Sequence, residues 1–132
     1  MPNDTQMAAE KYVMKRASNE GITVEDMRGR RKGYDFTFRM KDGRRLNIEV
    51  KGSNKKFPGI PDIRTSEFER KKLKADFLIL VWPALARTRS LYIIPRDAIR
   101  PANLELLHTY RVRGFGKTRL PEFLQPSLKS IL

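Results

Sequence analysis

Two stretches of this chain alternate strictly between apolar and polar residues, and only a short turn separates them. From Tyr34 to Met40, Phe36, Phe38 and Met40 fall on one side of an extended chain, and Asp35, Thr37 and Arg39 on the other. From Arg45 to Lys51, Leu46, Ile48 and Val50 alternate with Asn47, Glu49 and Lys51. With Lys41-Asp42-Gly43 between them, the pair reads as a β-hairpin. Facing residues share a sheet face, so the apolar sets coincide only when paired residue numbers sum to an even value. A two-residue Asp-Gly turn gives an odd sum and sets Phe36 against Glu49. A three-residue loop, with Gly43 left-handed in a G1 bulge, gives the sum 84. Phe36 then faces Ile48, Phe38 faces Leu46, and Asp35 lies across from Glu49.

Around the hairpin the pattern predicts a mixed sheet. Asp4 or Thr5 opens a helix to about Asn19, with Ala8, Ala9, Tyr12, Val13 and Ala17 on one face, Glu10 off that stripe, and Gly21 as terminator. Ile22 to Met27 is a short strand candidate. Ser66-Glu67-Phe68-Glu69 is a capping box that opens a helix to about Lys74. The run Phe77 to Trp82 has the character of a strand buried on both faces. Leu91 to Ile94 is a further strand before Pro95, and a short helical turn is expected near Asp97–Ile99. The expected fold is α/β: a single domain over residues 1–132, with a mixed central sheet flanked by helices and the core order α-β-β-β-α-β over about 5–95. Residues 96–132 form a C-terminal extension.

Composition narrows the chemistry. There is no cysteine and one histidine, His108, which excludes disulfides, zinc–thiolate sites and multi-histidine metal sites. A metal would be held by carboxylates, which suits a hard cation. The net charge is +13, and residues 28–74 alone hold 16 basic against six acidic residues. A field this positive draws polyanions, and nucleic acid is the expected partner. Arg28, Arg30, Arg31 and Lys32 before the hairpin, and Lys55, Lys56 and Arg64 after it, are the candidate phosphate contacts. No apolar run reaches the ~18 residues of a membrane span, and Met1 to Glu10 lacks a basic-then-apolar leader pattern, so a cytoplasmic protein without membrane association is expected.

Asp35, Glu49 and Lys51 share the hairpin face that points away from the apolar set. Two facing carboxylates repel unless a cation lies between them, and a neighbouring lysine can orient water or steady developing negative charge. That is the equipment of metal-assisted phosphodiester hydrolysis. The alternative is a cross-strand ion-pair cluster on a solvated face.

Gly33-Tyr34-Asp35 followed by Ile48-Glu49-Val50-Lys51-Gly52 resembles the PD-(D/E)xK nuclease superfamily, with its restriction-endonuclease-like fold. The helix carrying Glu10, the Thr65-Ser66-Glu67 helix start and the strand Phe77 to Trp82 follow that family's element order. The Mrr-like and archaeal Holliday-junction-resolvase-like branches are the most similar. The resemblance implies that Asp35, Glu49 and the Val50 carbonyl bind Mg²⁺ or Mn²⁺, that Lys51 is catalytic, and that Glu10 contributes as a first-helix glutamate. Tyr34 stands where the motif has proline, and Glu67 where several branches have glutamine. The implied function is a divalent-metal-dependent DNA endonuclease of repair, recombination or restriction. A silent DNA-binding module of the same fold and an RNA-processing nuclease are the other readings.

The remaining signals are weaker. Gly114-Phe-Gly116-Lys117-Thr118 lacks the upstream glycine of a phosphate loop, since Arg111 stands there. Trp82 and Tyr92 read as packing residues. Apolar residues between Pro101 and Leu132, Leu124 and Leu128 among them, supply either a homodimer interface, which cutting two strands with one site per chain favours, or a cover for the sheet.

Overall fold

The computed structural model describes residues 4–29, 34–56, 74–96 and 120–131. Helix α1 (Asp4–Asn19) is followed by strands β1 (Thr23–Asp26), β2 (Phe36–Arg39), β3 (Arg45–Gly52), β4 (Phe77–Trp82) and β5 (Ser90–Pro95). A 3₁₀ turn (Leu120–Phe123), the two-residue strand β6 (Leu124–Gln125) and a second 3₁₀ turn (Leu128–Ile131) follow. The six strands form one sheet in sequence order. All neighbours are antiparallel except β3 and β4, which run parallel. The architecture is α/β with a mixed sheet. The predicted helix Ser66–Lys74 and the turn near Asp97 fall outside the described residues, apart from Lys74.

The hairpin takes the register demanded by its apolar alternation. Phe36 pairs with Ile48 and Phe38 with Leu46. The loop is closed by Gly43 N–H donating to the Met40 carbonyl at 3.0 Å and Met40 N–H to the Arg44 carbonyl at 2.9 Å. Gly43 has φ 90°, the left-handed conformation that a G1 bulge requires.

Phe36, Phe38, Ile48, Val50, Ile79, Val81, Leu91 and Ile93 form one sheet face, and Ala9, Val13 and Ala17 of α1 pack on it. The helix ends in a Schellman closure: Ile22 N–H reaches the Ala17 carbonyl at 2.8 Å and Gly21 N–H the Ser18 carbonyl at 3.1 Å. Contrary to the helical-stripe reading, Glu10 is not off the core face; it retains only 9% of its accessible surface. Ala8 and Tyr12, expected in the stripe, are only partly buried. The stripe is narrow because small residues let α1 lie very close to the sheet, which draws the flanking Glu10 inward.

The closest approach is at Gly52. A Cβ there would stand 2.7 Å from the Ala9 Cβ and 2.7 Å from the Thr5 carbonyl oxygen. Only a glycine permits this helix–strand distance.

Residues 120–131, the described part of the C-terminal segment, pack against the sheet. Leu128 is fully buried in the core. The Glu20 carboxylate accepts from Leu128 N–H at 3.1 Å and Lys129 N–H at 2.9 Å, capping the last 3₁₀ turn. Leu124, half exposed on the edge strand, stays on the surface.

Gly52→Ala is expected to push α1 off β3 and cost about 1–3 kcal/mol, as other overpacked interiors do. Denaturant unfolding measures it, and wild-type stability would mean that α1 yields without loss.

Candidate active site

The site forms where β3 outruns β2. Strand β2 begins at Phe36, whereas β3 continues to Gly52. Peptide groups of β3 on that side have no strand to pair with, and buried peptide groups need partners. Two side chains supply them. The Asp35 carboxylate accepts from Val50 N–H at 2.9 Å. The Gln6 carboxamide accepts from Gly52 N–H at 2.9 Å and donates to the Val50 carbonyl at 2.7 Å. Gln6 thereby imitates one peptide unit of a neighbouring strand. Its orientation is settled by its partners, because Gly52 N–H can only donate and the Val50 carbonyl can only accept.

The same Gln6 nitrogen donates to Glu10 Oε2 at 2.9 Å, one helical turn along α1. The other Glu10 oxygen accepts from Arg28 Nη1 at 2.9 Å. Arg28 also grips Asp26, through Nε at 2.9 Å and Nη2 at 2.6 Å. Its guanidinium carbon lies 5.2 Å from the Phe36 ring centroid. Arg28, one of the expected phosphate contacts, thus pairs with two carboxylates while its side chain stays 40% exposed.

Asp35 is held by backbone on both sides. Its N–H donates to the Ile48 carbonyl at 2.8 Å and its carbonyl accepts from Met27 N–H at 2.8 Å. Extending the register of β2 and β3 by one pair sets Asp35 opposite Glu49, as the hairpin pattern requires. Burial is the main force raising the Asp35 pKa above the ordinary carboxylate value, with the Glu10 charge adding to it. The Val50 N–H bond, Lys51 and Arg28 pull the other way. Lys51 Nζ lies 3.6 Å from Glu49 Oε1, both side chains less than one-fifth exposed. The ion pair runs along one strand rather than across two, and it lies on a largely covered face.

Asp35, Glu49 and the Val50 carbonyl are all hard oxygen donors, and the desolvated Asp35 carboxyl is the kind of group a divalent cation stabilises. By donor chemistry these residues fit Mg²⁺ or Mn²⁺. Among the described residues no group of three or more acidic or histidine side chains is arranged to hold a metal. A two-carboxylate site is thus the fullest that these residues offer.

Lys55 and Lys56 are exposed just past β3. The Lys55 carbonyl accepts from Trp82 Nε1 at 2.8 Å, so Trp82 ties this loop to the end of β4. Arg30, Arg31, Lys32 and Arg64 lie outside the described residues, as do Glu67, His108 and the Gly114–Thr118 segment. Gln6 is the site residue that the sequence reading missed. Its signal was present: Gln6 and Glu10 are four apart, hence on one helix face.

The family model for Protein NO VEIN, C-terminal, matches residues 6–94. The chain belongs to this family. The matched span opens on Gln6 and closes at Ile94 in β5, so this NO VEIN C-terminal domain takes in every residue of the site and leaves out residues 95–132. No curated protein and no solved structure matches the chain. Among the described residues no helix is long and apolar enough to cross a membrane.

Two outcomes follow from this geometry. Gln6→Ala leaves Gly52 N–H and the Val50 carbonyl without partners and is expected to cost about 1–3 kcal/mol, read by denaturant unfolding. Asp35→Asn keeps an oxygen acceptor for Val50 N–H but carries no charge. Because the native Asp35 pKa is raised, the folded state binds this proton more tightly than the unfolded state. The wild type is therefore progressively destabilised as pH rises through the native pKa, and the effect vanishes below about 3.8. Asp35→Asn should be the more stable protein at pH 7, with the advantage lost at pH 3; a less stable variant at pH 7 contradicts the raised pKa.

Proposed function

We propose that this NO VEIN C-terminal domain is a divalent-metal-dependent endonuclease of the PD-(D/E)xK type, acting on DNA. The observation that carries the reading is the desolvated Asp35 carboxyl, set by register across from Glu49 and followed along β3 by Lys51. A salt-bridge cluster serving only stability has no use for a carboxylate kept partly deprived of solvent and counter-charge. The net charge of +13 and the exposed lysines beyond β3 support a polyanionic substrate.

The residues divide the work. Asp35, Glu49 and the Val50 carbonyl would hold Mg²⁺ or Mn²⁺, which when bound supplies a water of lowered pKa and neutralises phosphate charge. Gln6 fixes the Val50 peptide that offers this carbonyl. Glu10, secured by Gln6 and Arg28, adds negative charge beside Asp35. Lys51 exchanges its Glu49 partner for the scissile phosphate and steadies the charge that develops there. Cutting both strands with one site per chain is simplest for two copies of the chain acting together.

Mg²⁺ or Mn²⁺ should support cleavage in a screen of linear, flapped and four-way DNA and structured RNA. Lys51→Ala should abolish cleavage and leave binding within a few-fold, since Lys51 is one of 28 basic residues. Binding without cleavage by the wild type under every metal would assign the domain to the silent DNA-binding alternative, and RNA-only cleavage to RNA processing.

A further inference from the structure

A second cationic feature lies between α1 and the β5–β6 edge, apart from the carboxylate site. A cavity of about 380 Å³ is lined there by Tyr12, Arg16, Arg89, Ser90 and Gln125 over an apolar floor that includes Leu91. That volume is within the range of small-ligand sites. No acidic residue among the described residues lines it.

Its two arginines differ. Arg16 is engaged: Nε lies 3.3 Å from Glu20 Oε2, Nη2 donates to the Pro126 carbonyl at 2.7 Å, and Nη1 lies 3.4 Å from the Tyr12 hydroxyl. Arg89 is not. Its guanidinium stacks 5.0 Å from the Tyr12 ring centroid, and its Nε is a buried nitrogen with no hydrogen-bond partner. It is the only buried side-chain nitrogen or oxygen so placed among the described residues. A buried, unpaired donor on a charged group is costly unless an acceptor arrives. A guanidinium placed over an aromatic ring, with hydroxyls and an amide lining the same cavity, suits a phosphate.

The cavity and the carboxylate site lie toward the same end of the sheet, the cavity on the α1 face and the Glu49 and Lys51 side chains on the other. Gly52 pairs with Val81, Val81 with Leu91, and Leu91 with Gln125. At about 4.8 Å per strand, Leu91 lies roughly 10 Å from Gly52. A duplex carries one charge per about 1.7 Å of axis, so several phosphates fall within that span.

We propose that the Arg89 cavity is a phosphodiester-binding site, which grips the backbone of the bound nucleic acid away from the bond that is cut. The assignment rests on the nucleic-acid reading above and names a second contact for the same substrate. The fork of Arg89 takes two phosphate oxygens, with the Tyr12 and Ser90 hydroxyls and the Gln125 amide as further donors.

The Arg89 Nε–H gives its own resonance in a ¹H–¹⁵N spectrum. Titration with a short DNA duplex, without metal, should shift it, whereas inorganic phosphate at the same phosphate concentration should not. Arg89→Ala should weaken duplex binding roughly tenfold and reduce the slope of log K against log salt by about one. Gln125→Glu is the companion variant, because its carboxylate pairs with Arg89 and repels phosphate. It should weaken binding comparably with no loss of melting temperature, which separates binding from folding. An unmoved Arg89 resonance, or wild-type affinity in both variants, overturns the assignment, as does an equal shift with inorganic phosphate, which would mark a free-phosphate site. Metal-dependent cleavage with Arg89 unmoved sinks the cavity and leaves the nuclease reading standing. A shifted Arg89 in a protein that never cleaves does the reverse, and a wild type that binds no duplex overturns both.

Discussion

Strand β3 extends past the start of β2, and its free peptide groups have to be satisfied where α1 crosses them. That requirement organises the molecule. Asp35 and Gln6 each give a side-chain oxygen to a β3 N–H, and Gln6 also gives an N–H to the Val50 carbonyl. A strand in their place would close the edge and leave no room for carboxylates. A bare edge would expose peptide groups to solvent or to another chain. Using side chains instead satisfies the backbone and gathers acidic groups at one point. The short contact between Gly52 and α1 makes this possible, because it brings Gln6 within reach of β3.

The electrostatics follow from the same crowding. In a chain of net charge +13 the surrounding field favours carboxylates, and what opposes them here is burial and their mutual repulsion. Glu10 and Asp26 share Arg28, and Glu49 has Lys51. Asp35 has a backbone N–H and more distant cations, with burial opposing them, and so carries the strain of the arrangement. The pairings also engage one basic residue counted toward the nucleic-acid surface: Arg28, exposed at the rim, bridges Glu10 and Asp26.

Most of the fold was legible because its signals are local. Period-two alternation and the parity of the loop led to the hairpin register, pair by pair, and the apolar run marked β4. Gly21 marked the end of α1. Two features were not legible. Glu10 was placed off the apolar stripe by helical periodicity, yet it is buried, because helix periodicity does not report how closely a helix lies on its sheet. Strand β6 and the seat of Leu128 were not foreseen, because a two-residue strand and a 3₁₀ turn are held by Tyr92, Leu91 and Glu20, far away in sequence.

The succession of α1 and strands β1 to β5 and the register that sets Asp35 across from Glu49 were determined by the sequence alone, since alternation fixes the parity of the pairing and the three-residue loop selects the register. Tertiary structure decided which groups meet them. It brought Gln6 and Glu10 to the end of β3, paired Arg28 with Glu10, and left Arg89 over the Tyr12 ring with a nitrogen unpaired. Those contacts span from 18 to 77 residues of chain, where propensity and periodicity carry no information, and they are set by how closely a helix of small residues settles against a glycine.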